Sequence, residues 1–416
     1  MPTLSRRVSV LQGIGLAVGM VVGSGLFGLP GLVLDLLGPR HALLAWLLAT
    51  AVVAPMILIF IRLGIRYPEA GGLSKYAQVA LGDWAEYGVT TVLLGTYTIG
   101  IPALALIGAA YLKPLLGAFF LPAEALAFLL LLVATLINAF GVRMASVFNA
   151  VSVGMIFLLI LAMVLAHPSM TSAGLKAAFQ LGLSEPLDLA KLWHAVVLLF
   201  WAYLGWENLS FGLEEFRDPK RTIPRVYWGS FALVALTYIV LAATASGAAL
   251  LGVPVHGLGG LAALLPEAVR AFLLVVIVAL ILANANAWVF GSSRLVFAAA
   301  RSGILPKFLA GLDARKTPVA ALFALLGFYF LFLSAKYALG IPVATIIAVV
   351  SQNFIVLYGI ALIAYAKLFR ERRDRLVLTA SAAVVLILLA GFQAWLVYPL
   401  SLLFLGFLAW RRAGRL

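Results

Sequence analysis

The chain has 416 residues, of which 64% are hydrophobic and 11% charged, and its formal net charge is +14. A water-soluble protein needs more charge than this to cover its surface, so the composition excludes a soluble globular domain and points to lipid as the solvent. The absence of cysteine excludes disulfides and thiol chemistry, and there are no alternating segments of about ten residues of the kind that build membrane β-barrels.

Apolar runs of about 20 residues, the length a bilayer core demands, recur from end to end. Twelve membrane-spanning helices are predicted, over residues 10–37, 42–64, 84–112, 122–140, 147–166, 193–213, 226–251, 269–297, 318–335, 340–366, 376–394 and 396–410. Arg6 and Arg7 precede the first run, which continues past Leu37 with no small-residue cleavage site, so it reads as a span and not a signal peptide. The last span is short and contains Pro399.

With the loops alternated across these spans, 23 of the 29 Lys and Arg fall on one side, among them Arg6, Arg7, Lys220, Arg221, Arg294, Arg301, Arg372 and Arg411. The others are Arg40, Lys113, Lys176, Lys191, Arg270 and Lys336. Positive charge stays on the cytoplasmic side, so both termini are expected there, with the chain in the inner membrane. The basic balance then faces anionic lipid, and no nucleic-acid partner is expected. The longest connection, about 167–192, lies outside, and no stretch is long enough for an appended soluble domain. With four His, no Cys and few acids, there is no metal-ligand spacing and no nucleophile–base pair. Neither an enzyme, a cofactor nor a metal is expected.

Two spans carry features that a plain helix would avoid. The first contains Gly23-Ser24-Gly25 in mid-membrane. Glycine weakens a helix by about 1 kcal/mol relative to alanine, so a break is expected here, with the outer half-helix starting near Leu26. Amides at the start of that half-helix, with the hydroxyl of Ser24, would suit a carboxylate. Close helix packing is the other reading, since Gly15, Gly19 and Gly23 share a face. The sixth span contains Gly205-Trp206-Glu207, and Glu207 is the one carboxylate expected deep in the bilayer. An acid there costs several kcal/mol unless partnered, which marks it as functional or as a brace for the local structure. Gly205 permits unwinding, and the carbonyls freed there would accept from an ammonium group. Interrupted segments at matching places in two halves of a chain point to a transporter's midplane site.

Several ordered motifs carry a resemblance. They are Gly23-Ser24-Gly25-Leu26-Phe27 with Leu29-Pro30-Gly31, Tyr67-Pro68-Glu69-Ala70-Gly71-Gly72, Tyr203-Leu204-Gly205-Trp206-Glu207 and Asp218-Pro219-Lys220-Arg221-Thr222-Ile223-Pro224-Arg225. The stretch Ala298-Ala299-Ala300-Arg301-Ser302-Gly303-Ile304-Leu305-Pro306 extends the series. Together these resemble the amino acid–polyamine–organocation transporter superfamily.

The resemblance implies an all-α LeuT-like fold of two inverted five-helix repeats, residues 10–166 and 193–366, with two extra helices at 376–410, working by alternating access. It implies a substrate carboxylate on Ser24 and the amides around Gly23 and Gly25. The substrate ammonium would lie on carbonyls of Val21, Trp201 and Leu204, next to Gly205. Trp201 matches a gating aromatic, Trp288 a pocket or inner-gate aromatic, and Glu207 an acid that couples or braces the site.

Ile101 stands about where arginine-handling relatives place a polar amide. An apolar pocket cannot satisfy a guanidinium, so neutral apolar amino acids fit better. Gly100-Ile101-Pro102-Ala103 and Arg294-Leu295-Val296-Phe297 look most like the bacterial L-methionine and branched-chain amino acid exporters of the superfamily. That likeness implies proton-driven export by a monomer or homodimer. Some proton-coupled relatives carry a lysine within span 5, whereas 147–166 holds no charge. Glu207 is then the leading proton-linked group, and Ser292 with Ser293 would either form a sodium site or pack helices. Import or exchange, a channel, a membrane-embedded enzyme and a non-transporting sensor remain as alternatives.

Overall fold

The structure, a computed structural model, describes residues 4–112, 116, 121–179, 186–257, 260–264, 268, 270–389 and 396–414. Among these, the regular elements are helical. In chain order they are α1 (Val10–Val21), α2 (Ser24–Arg66), α3 (Gly72–Leu81), α4 (Asp83–Leu112), α5 (Ala123–Ala139), α6 (Val142–Ala166), α7 (Pro168–Phe179) and α8 (Leu189–Phe200). After these come α9 (Trp206–Ser210), α10 (Pro219–Leu250), α11 (Arg270–Arg301), α12 (Val319–Leu339), α13 (Val343–Leu368), α14 (Arg372–Leu389) and α15 (Val397–Arg412). Among the described residues, seven helices are long and apolar enough to cross a membrane, or eight if the bent pair α6–α7 forms one crossing.

At 1.5 Å per residue, the 43 residues of α2 would span about 65 Å if straight, twice a bilayer core. Gly38 divides them. It takes φ 71° and ψ 168°, and Pro39 restarts the helix behind it. The region contains two successive helical arms, as the sequence predicts for 10–37 and 42–64. The outer half-helix begins at Ser24 and not near Leu26, because the chain leaves helical geometry at Val22 and Gly23.

The connection at 167–192 is not a plain loop. Pro168 opens α7, which turns 87° from α6 and packs along α10. Two glycines make that contact. A Cβ on Gly174 would overlap the Ala243 carbonyl, and one on Gly247 the Met170 carbonyl. Thr171 and Thr244 hydroxyls close the same contact at 2.8 Å. The pairing is tertiary, so no run of sequence announces it.

Around this, α1 packs against α6, α10 and α11, and α2 against α8 and α10. At the N-terminus, Val8 bridges to Phe216, with its amide donating to the Glu215 carbonyl at 2.9 Å and its own carbonyl accepting from Arg217 at 3.0 Å. On α12, Phe323, Phe328, Phe330 and Leu331 are exposed, the pattern of a helix facing lipid.

Overpacking costs about 1–3 kcal/mol, and at these two glycines it is backbone that would have to move. Gly247→Val is therefore expected to lower the thermal unfolding midpoint of the detergent-purified protein. Gly327→Ala, where nothing lies within 4 Å, is expected to leave it level or raised. Equal midpoints for Gly247→Val and wild type would contradict the packing.

Candidate functional site

A helix that stops in the membrane leaves its last four carbonyls without helical partners. At the end of α1, the Val18 carbonyl still accepts from the Val22 amide at 2.7 Å. The next three carbonyls accept from side chains of other helices. The amide nitrogen of Asn284 on α11 donates to Gly19 at 2.6 Å and to Met20 at 2.9 Å. Trp288 Nε1, one turn further along, donates to Met20 at 2.8 Å. The Tyr238 hydroxyl on α10 lies 3.2 Å from the Val21 carbonyl and 2.9 Å from the Ala202 carbonyl. Its one proton is therefore shared between two chain segments.

Ala202 belongs to the second break. There α8 ends at Phe200, a single 3-10 turn covers Trp201–Tyr203, and α9 begins at Trp206. Gly205 holds φ 127°, a backbone region that side chains rarely enter. The two breaks touch. A Cβ on Gly205 would sit 2.9 Å from the Met20 carbonyl oxygen, and one on Gly25 would sit 3.1 Å from Ala202 Cα. A Cβ on Gly23 would overlap the Asn284 amide. Close packing and broken backbone, alternatives in the sequence, coincide at these glycines.

A cavity with about 460 Å³ of empty space, part of it open, lies beside the crossing. Met20, Val21, Gly23 and Gly25 line it from the first break, and Trp201 and Leu204 from the second. Gly100, Ile101 and Leu104 of α4 and Val350 of α13 add apolar surface. Tyr97, Trp288 and Phe354 form an aromatic wall, with the Trp288 ring edge-on to both neighbours at 5.6 and 5.7 Å. Thr96 and Asn284 supply polar atoms, and no charged side chain lines the cavity among the described residues.

Glu207 is fully buried and does not line the cavity. One of its carboxyl oxygens accepts from the Tyr358 hydroxyl at 2.6 Å and the Gly205 amide at 3.2 Å. The other has no hydrogen-bond partner among the described residues. Glu207 thus braces the turn at Gly205 directly. Glu86, Glu215 and Asp374 are also at most 4% exposed.

Two ion pairs, made by Glu215 and Glu214, lie toward the predicted cytoplasmic side. Arg294 of α11 meets Glu215 at 2.7 Å with both side chains 1% exposed. Its guanidinium also lies 3.9 Å over the Phe290 ring and donates to Ser293 at 2.9 Å. Arg301 grips Glu214 with two bonds of 3.0 and 2.9 Å, and Glu214 also accepts from the amides of Leu4 and Ala70. Burial by itself would raise the Glu214 pKa, but Arg301 and these two amides outweigh it and hold the carboxyl below its ordinary range. At Glu215 burial wins over Arg294 and pushes the carboxyl up.

The structure brings together most residues singled out in the sequence. Val21, Gly23, Gly25, Ile101, Trp201, Leu204 and Trp288 all line the cavity. Gly205 does not, because it faces the Met20 carbonyl. Ser24 opens α2, and its side chain lies outside the described residues. Of the carbonyls assigned to an ammonium, Val21 has the shared Tyr238 proton and Trp201 accepts from the Leu204 amide at 3.3 Å. Ser292 and Ser293 do not face the first break. Their hydroxyls turn back on carbonyls of their own helix, Val289 and Phe290, which favours the helix-packing reading. Asn284, Tyr238 and Phe354 were not anticipated, for a single polar or aromatic residue in an apolar run carries no local mark of where it points.

The family model for amino acid permeases matches residues 8–410. An uncharacterized amino acid permease of Bacillus subtilis (strain 168), YecA, is 28% identical over 421 residues, covering 100% of this chain and 97% of that protein. The L-methionine/branched-chain amino acid exporter YjeH of Escherichia coli (strain K12) is 28% identical, covering 93% of this chain and 92% of the exporter. The large neutral amino acids transporter small subunit 2 of Rattus norvegicus is 30% identical over 77% of this chain and 62% of its own length. Among solved structures, MhsT in complex with L-phenylalanine shares the fold. Its TM-score is 0.67 at 16% identity, covering 93% of this chain and 100% of that one.

Removing one member of a fully buried ion pair strands the other charge and costs roughly 3–5 kcal/mol, whereas replacing both by apolar groups is often neutral. Glu215→Leu alone is expected to lower the unfolding midpoint sharply, and Glu215→Leu with Arg294→Met to recover most of the loss. Additive effects in this double-mutant cycle, followed by thermal melting in detergent, would mean the two charges do not depend on each other.

Proposed function

The chain belongs to the amino acid permease family, and on that footing we propose that it carries neutral apolar amino acids, methionine, leucine, isoleucine and valine, across the inner membrane by alternating access. The observation that carries the substrate class is the cavity at the crossing of two broken helices, walled by apolar and aromatic side chains and free of charge among the described residues. A cationic side chain entering it would lose its hydration with nothing in return. The names of the methionine and branched-chain exporter and of the large neutral amino acids transporter support the same class.

The substrate carboxylate rests on the amides at the start of α2, at Gly23, Ser24 and Gly25, where the helix N-terminus is positive. The ammonium rests on carbonyls of the breaks. Val21 is best placed, since it lines the cavity and holds only the longer side of the shared Tyr238 proton, leaving acceptor capacity. Trp201 and Leu204 complete this end, Gly205 sets its turn, Ile101 contacts the side chain, Trp201 closes over the substrate and Trp288 backs it.

The fold reading behind this is twelve crossings, with repeats at 10–166 and 193–366 inverted about the membrane plane, extra helices at 376–410 and both termini cytoplasmic. It is supported by helices over each stretch among the described residues and by matched breaks in α1–α2 and α8–α9. Export is supported by the name of the methionine and branched-chain exporter, and a proton as coupling ion by Glu207, a buried acid that touches the second break and has one oxygen without a hydrogen-bond partner among the described residues. The carrier works as a monomer or homodimer.

In proteoliposomes, labelled methionine and leucine are expected to exchange in counterflow, with arginine excluded. Gly25→Val, whose side chain would press into Ala202, is expected to abolish exchange; wild-type exchange in that variant would sink the site. Glu207→Gln is expected to keep counterflow at fixed pH while losing the response to an imposed pH gradient. Retention of that response would remove Glu207 from the coupling step.

A further inference from the structure

Carbonyl oxygens that converge at the broken end of a membrane helix are negative, and such ends commonly coordinate a monovalent cation. The broken end of α1 presents such a set at Gly19, Met20 and Val21. In this chain the set is already engaged by neutral donors. Asn284 Nδ2 lies within 2.6 Å of Gly19 and 2.9 Å of Met20, and Trp288 Nε1 within 2.8 Å of Met20. The amide fits without slack. Asn284 is 2% exposed, and its amide lies where a Cβ on Gly23 would be. The amide of Asn286, two residues on, meets Asn138 on α5 instead, so α11 directs one amide to each neighbour.

We propose that Asn284 is the positioning residue of the first break: its amide nitrogen stands in the place of a monovalent cation, holding the Gly19 and Met20 carbonyls so that the break keeps its shape with no ion bound. This deepens the carrier reading and rests on it, because the shape of the break matters to transport only if the cavity takes substrate. Two consequences follow from the chemistry. Wild-type transport does not require sodium. And Asn284→Asp exchanges the donor for a carboxylate oxygen, so that three oxygens face one another and need a cation between them.

The test uses the full chain, first in detergent and then in proteoliposomes, with sodium chloride against choline chloride at equal ionic strength and fixed pH. Wild type is expected to melt at the same temperature and to exchange labelled methionine at the same rate in both salts. Asn284→Ala is expected to lose roughly tenfold in exchange, as hydrogen bonds to the break are removed. Asn284→Asp is expected to melt higher as sodium rises, to saturate, and to regain exchange over the same range. A structural role alone would not create that sodium dependence. Saturable stimulation or stabilisation of the wild type by sodium overturns the proposal. So does wild-type exchange in Asn284→Ala, or a folded Asn284→Asp indifferent to sodium. Where the Asp variant does not assemble, the wild-type and Ala arms still decide. If no amino acid exchanges in the wild type, the carrier reading fails, and the melting arms judge the role of Asn284 separately.

Discussion

A peptide group inside a bilayer has no water to turn to. Each N–H and C=O there must bond within the protein, or cost several kcal/mol. Unbroken helices meet this demand internally. A chain that interrupts helices must meet it with side chains from elsewhere, and much of this architecture follows from that need. Three carbonyls at the end of α1 recruit Asn284 and Trp288 from α11 and Tyr238 from α10. The second break recruits Glu207, which takes the Gly205 amide and is itself held by Tyr358 from α13. These bonds dictate how closely α1, α8, α10 and α11 approach, and the approach in turn dictates glycine. At Gly205 both demands meet, a left-handed turn and a neighbour's carbonyl oxygen 2.9 Å from where a Cβ would stand.

Crossing two broken helices places opposite helix ends side by side. The carbonyl end of α1 and the amide end of α2 are separated by two residues, and those of α8 and α9 by five, three of them in one 3-10 turn. On the carrier reading, a zwitterion meets negative and positive partial charges in one small space without a formal protein charge beside it. The backbone then serves every amino acid alike, and selection passes to the walls. Those walls are Ile101, Leu104, Val350 and Phe354 with the aromatic group at Tyr97 and Trp288. A methylene more or less in such a pocket is worth only about 1–3 kcal/mol, so a group of similar apolar substrates is the natural outcome.

What could be read from sequence follows the same physics. Gly23-Ser24-Gly25 and Gly205-Trp206-Glu207 were legible because a break declares itself locally, through residues that a membrane helix would otherwise avoid. The residues that mend the breaks were not legible. Asn284 and Tyr238 sit in apolar runs like those of any packed helix, and only the meeting of helices shows which carbonyl they reach. Arg294 was counted with the cytoplasmic cations, yet it is buried against Glu215, since charge bias records a side and not a partner. Ser292 and Ser293 suggested by type either ion ligands or helix packing. Their hydroxyls instead follow the habit of serine inside helices and bond back along their own turn. The helix α7 escaped notice because its start is a proline and its docking depends on two glycines 73 residues apart, Gly174 and Gly247.

The ion pairs of Glu214 and Glu215 add a further constraint. Arg294–Glu215 lies out of contact with solvent, and Glu214 ties Arg301 to the amides of Leu4 and Ala70. Charges buried this way separate only if water reaches both as they part, because an unpaired charge in the interior is far costlier than the pair. On the carrier reading, opening toward this side is therefore not a gradual loosening. The N-terminal bridge at Val8, the two ion pairs and the segment after α9 share residues 214–217, so release of one exposes the others to hydration. The second break lies a few residues upstream on the same stretch of chain. Through the shared Tyr238 proton it is joined to the first break. On the carrier reading, a displacement of residues 214–217 thus reaches both halves of the cavity through bonds already in place, which joins this end of the molecule to the place where substrate would bind.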